Sequence, residues 1–142
     1  MIPTLEQIVS RVDDPETPVV WMDPALPESI WSSLPDGLAA RGYSVFHIDA
    51  DGPAEDREAL LARFEDFIGL PDIYTHDFES LKNCLLAKAA EPSLGWAVLF
   101  SNPDPLRQND EAAFEELMEV LALVHESTYE IHMKSFKLVV RD

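Results

Sequence analysis

The side chains that most often catalyse reactions or bind metals are few in this sequence, and none falls in a recognised pattern. The histidines are His47, His76, His125 and His132, and the only cysteine is Cys84. The histidines lack the spacing of metal ligands. Cys84 falls beside the apolar stripe of a predicted helix, where cysteine packs as a small hydrophobic residue. Motifs for phosphate loops, nucleophile elbows and zinc are missing, so we expect no catalytic residue, no metal and no cofactor.

Acidic and hydroxyl side chains do follow the predicted strands. Open α/β sheets bind ligands at the carboxyl ends of their strands. A second hypothesis is therefore a small acidic α/β ligand-binding protein or enzyme that uses this edge, with Asp23, Asp49, Ser101 and Asp104 as its candidates. Acidic residues after strands are also ordinary turn formers, so this pattern alone does not indicate a site.

The most informative stretch is LPDIYTHDFESLKNCL, residues 70–85, in which a loop carrying Tyr74 leads directly into a helix. The spacing i, i+3 and i+4 places Glu79, Lys82 and Asn83 on one face of this helix. The opposite face is apolar and carries Phe78, Leu81 and Leu85. Asp77 or Thr75 is positioned to cap the first turn. Every amphipathic helix has a polar face, so this feature indicates a function only together with further similarity.

The elements that position this stretch alternate between strand and helix. Apolar runs at 18–23, 43–48, 95–100 and 136–140 predict strands, and helical apolar stripes separate them. This order predicts an α/β fold with a small three- to four-stranded, mainly parallel sheet flanked by helices. Trp96, Val98 and Phe100 should be central in the sheet.

Three segments are harder to assign. Pro35 should break the helical turns between residues 24 and 42. The run SNPDPLRQND, residues 101–110, is rich in turn formers and predicts a loop. Residues 127–134 could either extend the preceding helix or form an antiparallel strand.

The net charge limits the classes of partner that the protein could bind. The chain carries 27 acidic and 10 basic side chains, a formal net charge of −17, and the excess is spread over all three thirds of the sequence. Such a surface repels phosphate backbones and attracts basic proteins, although acidity also simply maintains solubility. The sequence has no apolar stretch long enough to span a membrane and no signal peptide at residues 1–14. We expect a cytoplasmic protein that is monomeric when free and binds neither nucleic acid nor membrane.

Residues 70–85 resemble the barstar family of intracellular inhibitors of bacterial ribonucleases. The family pattern runs roughly L-P-x-x-Y-G-x-N-x-D-A-L-x-D-C-L, and this chain has corresponding residues at Leu70, Pro71, Tyr74, Asp77, Glu79, Leu81, Asn83, Cys84 and Leu85. Upstream, YSVFHIDADG and REALLARFEDFIG match the strand and Leu-rich helix of the family. The layout continues to Asp142. The resemblance implies a single domain, 1–142, in which a barstar-like core, 43–142, follows an N-terminal β-α extension, 1–42.

The resemblance also implies a function. The chain would be an immunity protein, or antitoxin, that binds and blocks a basic bacterial toxin, with a ribonuclease as one candidate target, and it would not be an enzyme. Tyr74 would be a packed anchor on the surface side of the loop. The partner-binding residues would be Asp72, Ile73, Tyr74, Thr75, Asp77, Glu79, Lys82 and Asn83.

Several positions depart from the family pattern. Thr75 replaces glycine, Asp77 replaces asparagine and Glu79 replaces aspartate. Lys82 and Asn83 replace a Trp-Asp pair, which makes the local charge about two units more positive and would weaken attraction to a basic active site. The resemblance therefore bears on fold and mode of binding more than on the identity of the target.

Overall fold

Helices and strands alternate along the chain, and together they form one sheet with helices on both faces. The computed structural model describes residues 4–13, 19–22, 26–49, 52, 54–68, 74–75, 77–90 and 95–141. Within them the strands are β1 (Val19–Met22), β2 (Tyr43–His47), β3 (Gly95–Phe100) and β4 (Ser135–Arg141). The helices are α1 (Leu5–Asp13), α2 (Glu28–Ala40), α3 (Arg57–Ile68), α4 (Phe78–Lys88) and α5 (Asp104–His132).

All described strands are parallel, in the order β1-β4-β3-β2. The predicted α/β class and parallel sheet are therefore confirmed. β3, one of the two inner strands, is buried along its whole length, as its continuous apolar sequence predicts. Val98 pairs with Phe46 on one side and Leu138 on the other. Within the described residues, no helix is both long and apolar enough to cross a membrane.

Alternation along the strands divides the interior into two cores. Trp96, Val98 and Phe100 face a core built with α3, α4 and α5. Ala97 and Leu99 face a second core, which α1 and α2 cover. Successive side chains of a strand point to opposite faces, so each strand contributes to both cores. The N-terminal elements therefore seal one face of the sheet, and the helices that follow β2 seal the other.

The prediction that Pro35 breaks the helical turns is wrong. Helix α2 continues through Pro35 to Ala40. Its buried residues, Trp31, Leu34 and Leu38, lie on both sides of the proline and pack against the sheet. Burial of this stripe outweighs the local cost of about 3 kcal/mol for an interior proline.

The prediction of a loop at 101–110 is wrong from Asp104 onward, because α5 begins there. The open assignment of 127–134 is also decided in favour of helix. The helix begins at Asp104, with Pro103 as its N-cap residue and Pro105 in its first turn, where a proline costs little. Asp110 interrupts the helical backbone, and its carboxylate accepts from the Ala113 backbone N–H at 3.1 Å, which caps the longer part. Residues 127–132 continue this helix, and Met133 ends it in a left-handed conformation.

Candidate functional site

Helix α4 begins at a dense capping network. The Asp77 carboxylate accepts from the Ser80 backbone N–H at 2.6 Å and from the Thr75 hydroxyl at 2.8 Å. The Ser80 hydroxyl in turn accepts from the Thr75 backbone N–H at 3.1 Å. The hydrogen bond from Ser80, followed by that from Thr75, lowers the pKa of Asp77. The predicted cap is confirmed, and it joins the loop to the helix with a fixed negative charge where the helix dipole favours one.

The two faces of α4 separate as predicted. Phe78, Leu81 and Leu85 are buried in the core shared with α3 and α5. Glu79 and Asn83 are exposed, and Lys82 beside them is half-buried. The structure therefore brings these three side chains together on the solvent side of one helix.

Neighbouring helices hold α4 in this orientation. The Arg57 guanidinium lies 5.6 Å from the ring centre of Phe78 and within 3.5 Å of the Glu116 carboxylate. At the other end of α4, the Lys88 ammonium lies 4.7 Å from the ring centre of Phe67. These cation–π contacts link both ends of α4 to α3. The polar face therefore stands on a helix that its neighbours fix at both ends.

Tyr74 is buried, which makes its predicted position on the surface side of the loop wrong. Its side chain is 4% exposed, and its hydroxyl donates a hydrogen bond to the Leu61 carbonyl of α3. Burial raises the pKa of the Tyr74 hydroxyl, as do nearby acidic groups. This hydrogen bond to the Leu61 carbonyl holds Tyr74 itself against α3. Asp72 and Ile73, the other predicted loop contacts, lie outside the described residues.

Cys84 is also buried, 1% exposed, in the same core. Burial raises the pKa of its thiol, so the reactive thiolate is disfavoured. The residue packs as a small hydrophobic side chain, in agreement with the interpretation of the sequence.

A shallow apolar groove borders the polar face of α4 and was not predicted. It has a volume of about 180 Å³ between α4 and α5 and is lined by Leu86, Ala89, Ser127, Thr128 and Ile131. Ile131 is 71% exposed. Leu86 follows Lys82 by one helical turn, so groove and polar face are continuous on the helix surface. In the sequence, this groove is indicated only by an apolar residue outside the buried stripe of each helix, Leu86 in α4 and Ile131 in α5.

The strand ends bring together two of the four residues of the alternative hypothesis. The Asp49 carboxylate accepts from the backbone N–H groups of Ser101 and Asn102, each at 2.9 Å, and lies 3.1 Å from the His47 Nε2 atom. Burial raises the pKa of Asp49, but the hydrogen bonds from His47, Ser101 and Asn102 outweigh it and hold that pKa below its usual value. The Trp31 indole donates to the Ser101 hydroxyl at 3.0 Å.

This cluster connects β2, β3 and α2. Ser101 and Asp49 approach the same nitrogen of His47, whereas a catalytic triad needs the acid and the nucleophile on opposite nitrogens. Asp104 instead pairs with Arg107 at 3.6 Å, and Asp23 lies outside the described residues. Within the described part of the chain, no three His, Cys, Asp or Glu side chains could hold a metal ion together.

A comparison with protein-family models places this geometry in a known family. Residues 43–141 match the model described as Barstar (barnase inhibitor), from the first residue of β2 to the last described residue of β4. The chain belongs to the Barstar family. No individual curated protein matches the chain.

The family match bears on the function of the region that it covers. Members of this family inhibit ribonuclease-type proteins and are not enzymes. The family match covers α4 and the α4–α5 groove, and it leaves β1, α1 and α2 outside.

Proposed function

We propose that this Barstar-family chain is an immunity protein that inhibits a bacterial toxin, of the ribonuclease type, in the cytoplasm of the producing cell. Family membership supports inhibition of a ribonuclease-type partner. Inhibition requires a rigid surface that fills the active-site cleft of the partner and needs no catalytic group of its own.

The proposed inhibitory surface consists of the loop before α4 and the exposed face of that helix. Its residues are Asp72, Ile73, Tyr74, Thr75, Asp77, Glu79, Lys82 and Asn83. Tyr74 contributes as the buried support that positions the loop, and the others contribute as contacts. The separation of the two faces of α4 is the observation that carries this proposal, since Glu79 and Asn83 are exposed on a helix whose opposite side is fixed in the core.

Charge supports a basic partner. The net charge of −17 favours fast association with a positively charged protein. The cation at Lys82 and the neutral amide at Asn83 make this part of the surface less acidic than the family pattern. We therefore expect weak binding to a ribonuclease of the barnase type, and the replacements Lys82→Trp and Asn83→Asp together should strengthen it.

The test begins by purifying the tagged chain from its native cells with whatever basic protein it retains, and measuring inhibition of that protein's activity. Glu79→Ala should weaken binding by about 1–3 kcal/mol, the usual range for a residue central to an interface. Glu6→Ala is the matched control, because Glu6 is exposed on α1, which covers the opposite face of the sheet.

Equal binding by the Glu79→Ala and Glu6→Ala proteins would contradict the central place of Glu79 in the proposed surface. A retained protein whose activity the chain leaves unchanged would contradict the inhibitory function itself.

A further inference from the structure

A second surface lies on α5, and the strand that precedes the family match helps to form it. In β1, Val20 and Met22 point into the core under α1 and α2, so Trp21 points to the opposite face of the sheet. There its ring meets Phe114 of α5 edge-on, with centroids 6.1 Å apart. Trp21 remains 40% exposed.

Trp21 forms one wall of a groove of about 390 Å³, which we call the Trp21 groove. Its other lining residues come from α5 and are Arg107, Glu111, Phe114, Glu115 and Met118. Because Trp21 lies outside residues 43–141, the matched region alone cannot form this groove. It is also separate from the groove beside α4. Phe114 and Met118 point to the opposite flank of α5 from Ser127 and Ile131 at about 100° per residue.

The Trp21 groove combines an aromatic wall with an acidic border. The Arg107 guanidinium already lies 5.6 Å from the ring centre of Trp21 and 4.8 Å from that of Phe114. Glu111 and Glu115 line the groove and are exposed, and the exposed Glu119 continues the same row one turn later. The three carboxylates of this row outnumber the one guanidinium of Arg107, so the row attracts the Lys and Arg side chains of a partner.

We propose that the Trp21 groove is a docking surface for a basic segment of a partner protein. An apolar side chain of that segment packs against Trp21 and Met118, and its Lys or Arg side chains pair with Glu111, Glu115 and Glu119. Charge complementarity selects this occupant. A second copy of the chain would bring another −17 to an already acidic row, and a single small cation would fill little of the volume.

The probe is a synthetic amphipathic helix of Leu and Lys, labelled with fluorescein, and its control is the same peptide with Glu in place of Lys. Anisotropy with the full chain at about 0.15 M salt, where charges are screened beyond about 8 Å, should show binding of the Lys peptide alone. In NMR spectra the indole N–H signal of Trp21 should shift, whereas those of the buried Trp31 and Trp96 should not.

Substitutions on α5 distinguish binding in the Trp21 groove from attraction of the peptide to the acidic surface as a whole. Glu111→Gln with Glu115→Gln should weaken peptide binding at least tenfold. Glu126→Gln with Glu130→Gln removes the same charge from exposed positions further along α5 and should change binding less than about twofold. Trp21→Ala should also weaken it tenfold, and the exposed Leu123→Ala is its control.

Equal losses from the two glutamine pairs would overturn the proposal, because only overall charge would then attract the peptide. Failure of the Lys peptide to bind, or a Trp21 signal that moves only when the protein itself is concentrated, would overturn it too. The glutamine pairs keep the test decisive if the Trp21→Ala protein does not fold.

Discussion

Replacement of Tyr74 should separate the stability of this protein from its binding surface. The ring is 4% exposed, and its hydroxyl donates to the Leu61 carbonyl. Tyr74→Ala removes a buried aromatic ring, which costs about 3–5 kcal/mol. Tyr74→Phe keeps the ring and removes only the hydrogen bond, which costs about 0.5–1.5 kcal/mol. The difference between the two variants measures the packing of the ring in the core.

Urea unfolding followed by circular dichroism measures both costs. With a slope of about 2 kcal/mol per molar urea, the midpoint should fall by about 1.5–2.5 M for Tyr74→Ala and by less than 1 M for Tyr74→Phe. Glu79→Ala, an exposed control on the adjoining helix, should stay within about 0.5 kcal/mol of the wild type. An unchanged midpoint for Tyr74→Ala would refute the burial of the ring.

This prediction changes how a binding experiment at Tyr74 must be interpreted. Loss of partner binding in the Tyr74→Ala protein would follow from a displaced loop even if the ring never touches the partner. The Tyr74→Phe protein keeps the loop in place, so it is the variant that reports on the interface.

Two further predictions concern the sheet. The folded-state pKa of Asp49 is below its usual value, so its stabilisation is present above about pH 4 and is lost as the pH falls through the folded-state pKa. Asp49→Asn should therefore cost about 1–3 kcal/mol at pH 7 and clearly less at pH 3, and equal costs in thermal melts at both pH values would contradict this. A fragment of residues 43–142 leaves Ala97, Leu99 and Val139 without α1 and α2, so it should aggregate in light-scattering measurements; a monodisperse, cooperatively melting fragment would show otherwise.

The strands and the buried face of α4 could be predicted because local sequence determines them. A continuous apolar run such as 95–100 has few alternatives to a buried parallel strand. The spacing of Phe78, Leu81 and Leu85 predicts one helix face directly, and Asp77 has the side chain and position of an N-cap. These features depend on residues within a few positions of one another.

The features that sequence alone missed depend on contacts between distant segments. Pro35 indicates a break locally, and only the packing of Trp31, Leu34 and Leu38 on the sheet overrides it. Tyr74 is buried in the core that α3 helps to build, and its hydroxyl reaches the carbonyl of Leu61, 13 residues earlier in the chain. The grooves beside α4 and Trp21 depend on the strand order and on which helices are neighbours. The spacing of residues along the sequence predicts neither.

The position of β1 beside β4, at one edge of the sheet, explains why the Trp21 groove and the exposed face of α4 are separate surfaces. β1 pairs with β4, whereas β2 forms the opposite edge of the described sheet. Trp21 therefore reaches α5 and leaves the exposed face of α4 unobstructed, since α4 contacts α3 and the other flank of α5. Pairing of β1 with β2 would have placed Trp21 toward α3 instead. A strand added at the β4 edge thus extends the exposed surface of the protein without altering the exposed face of α4.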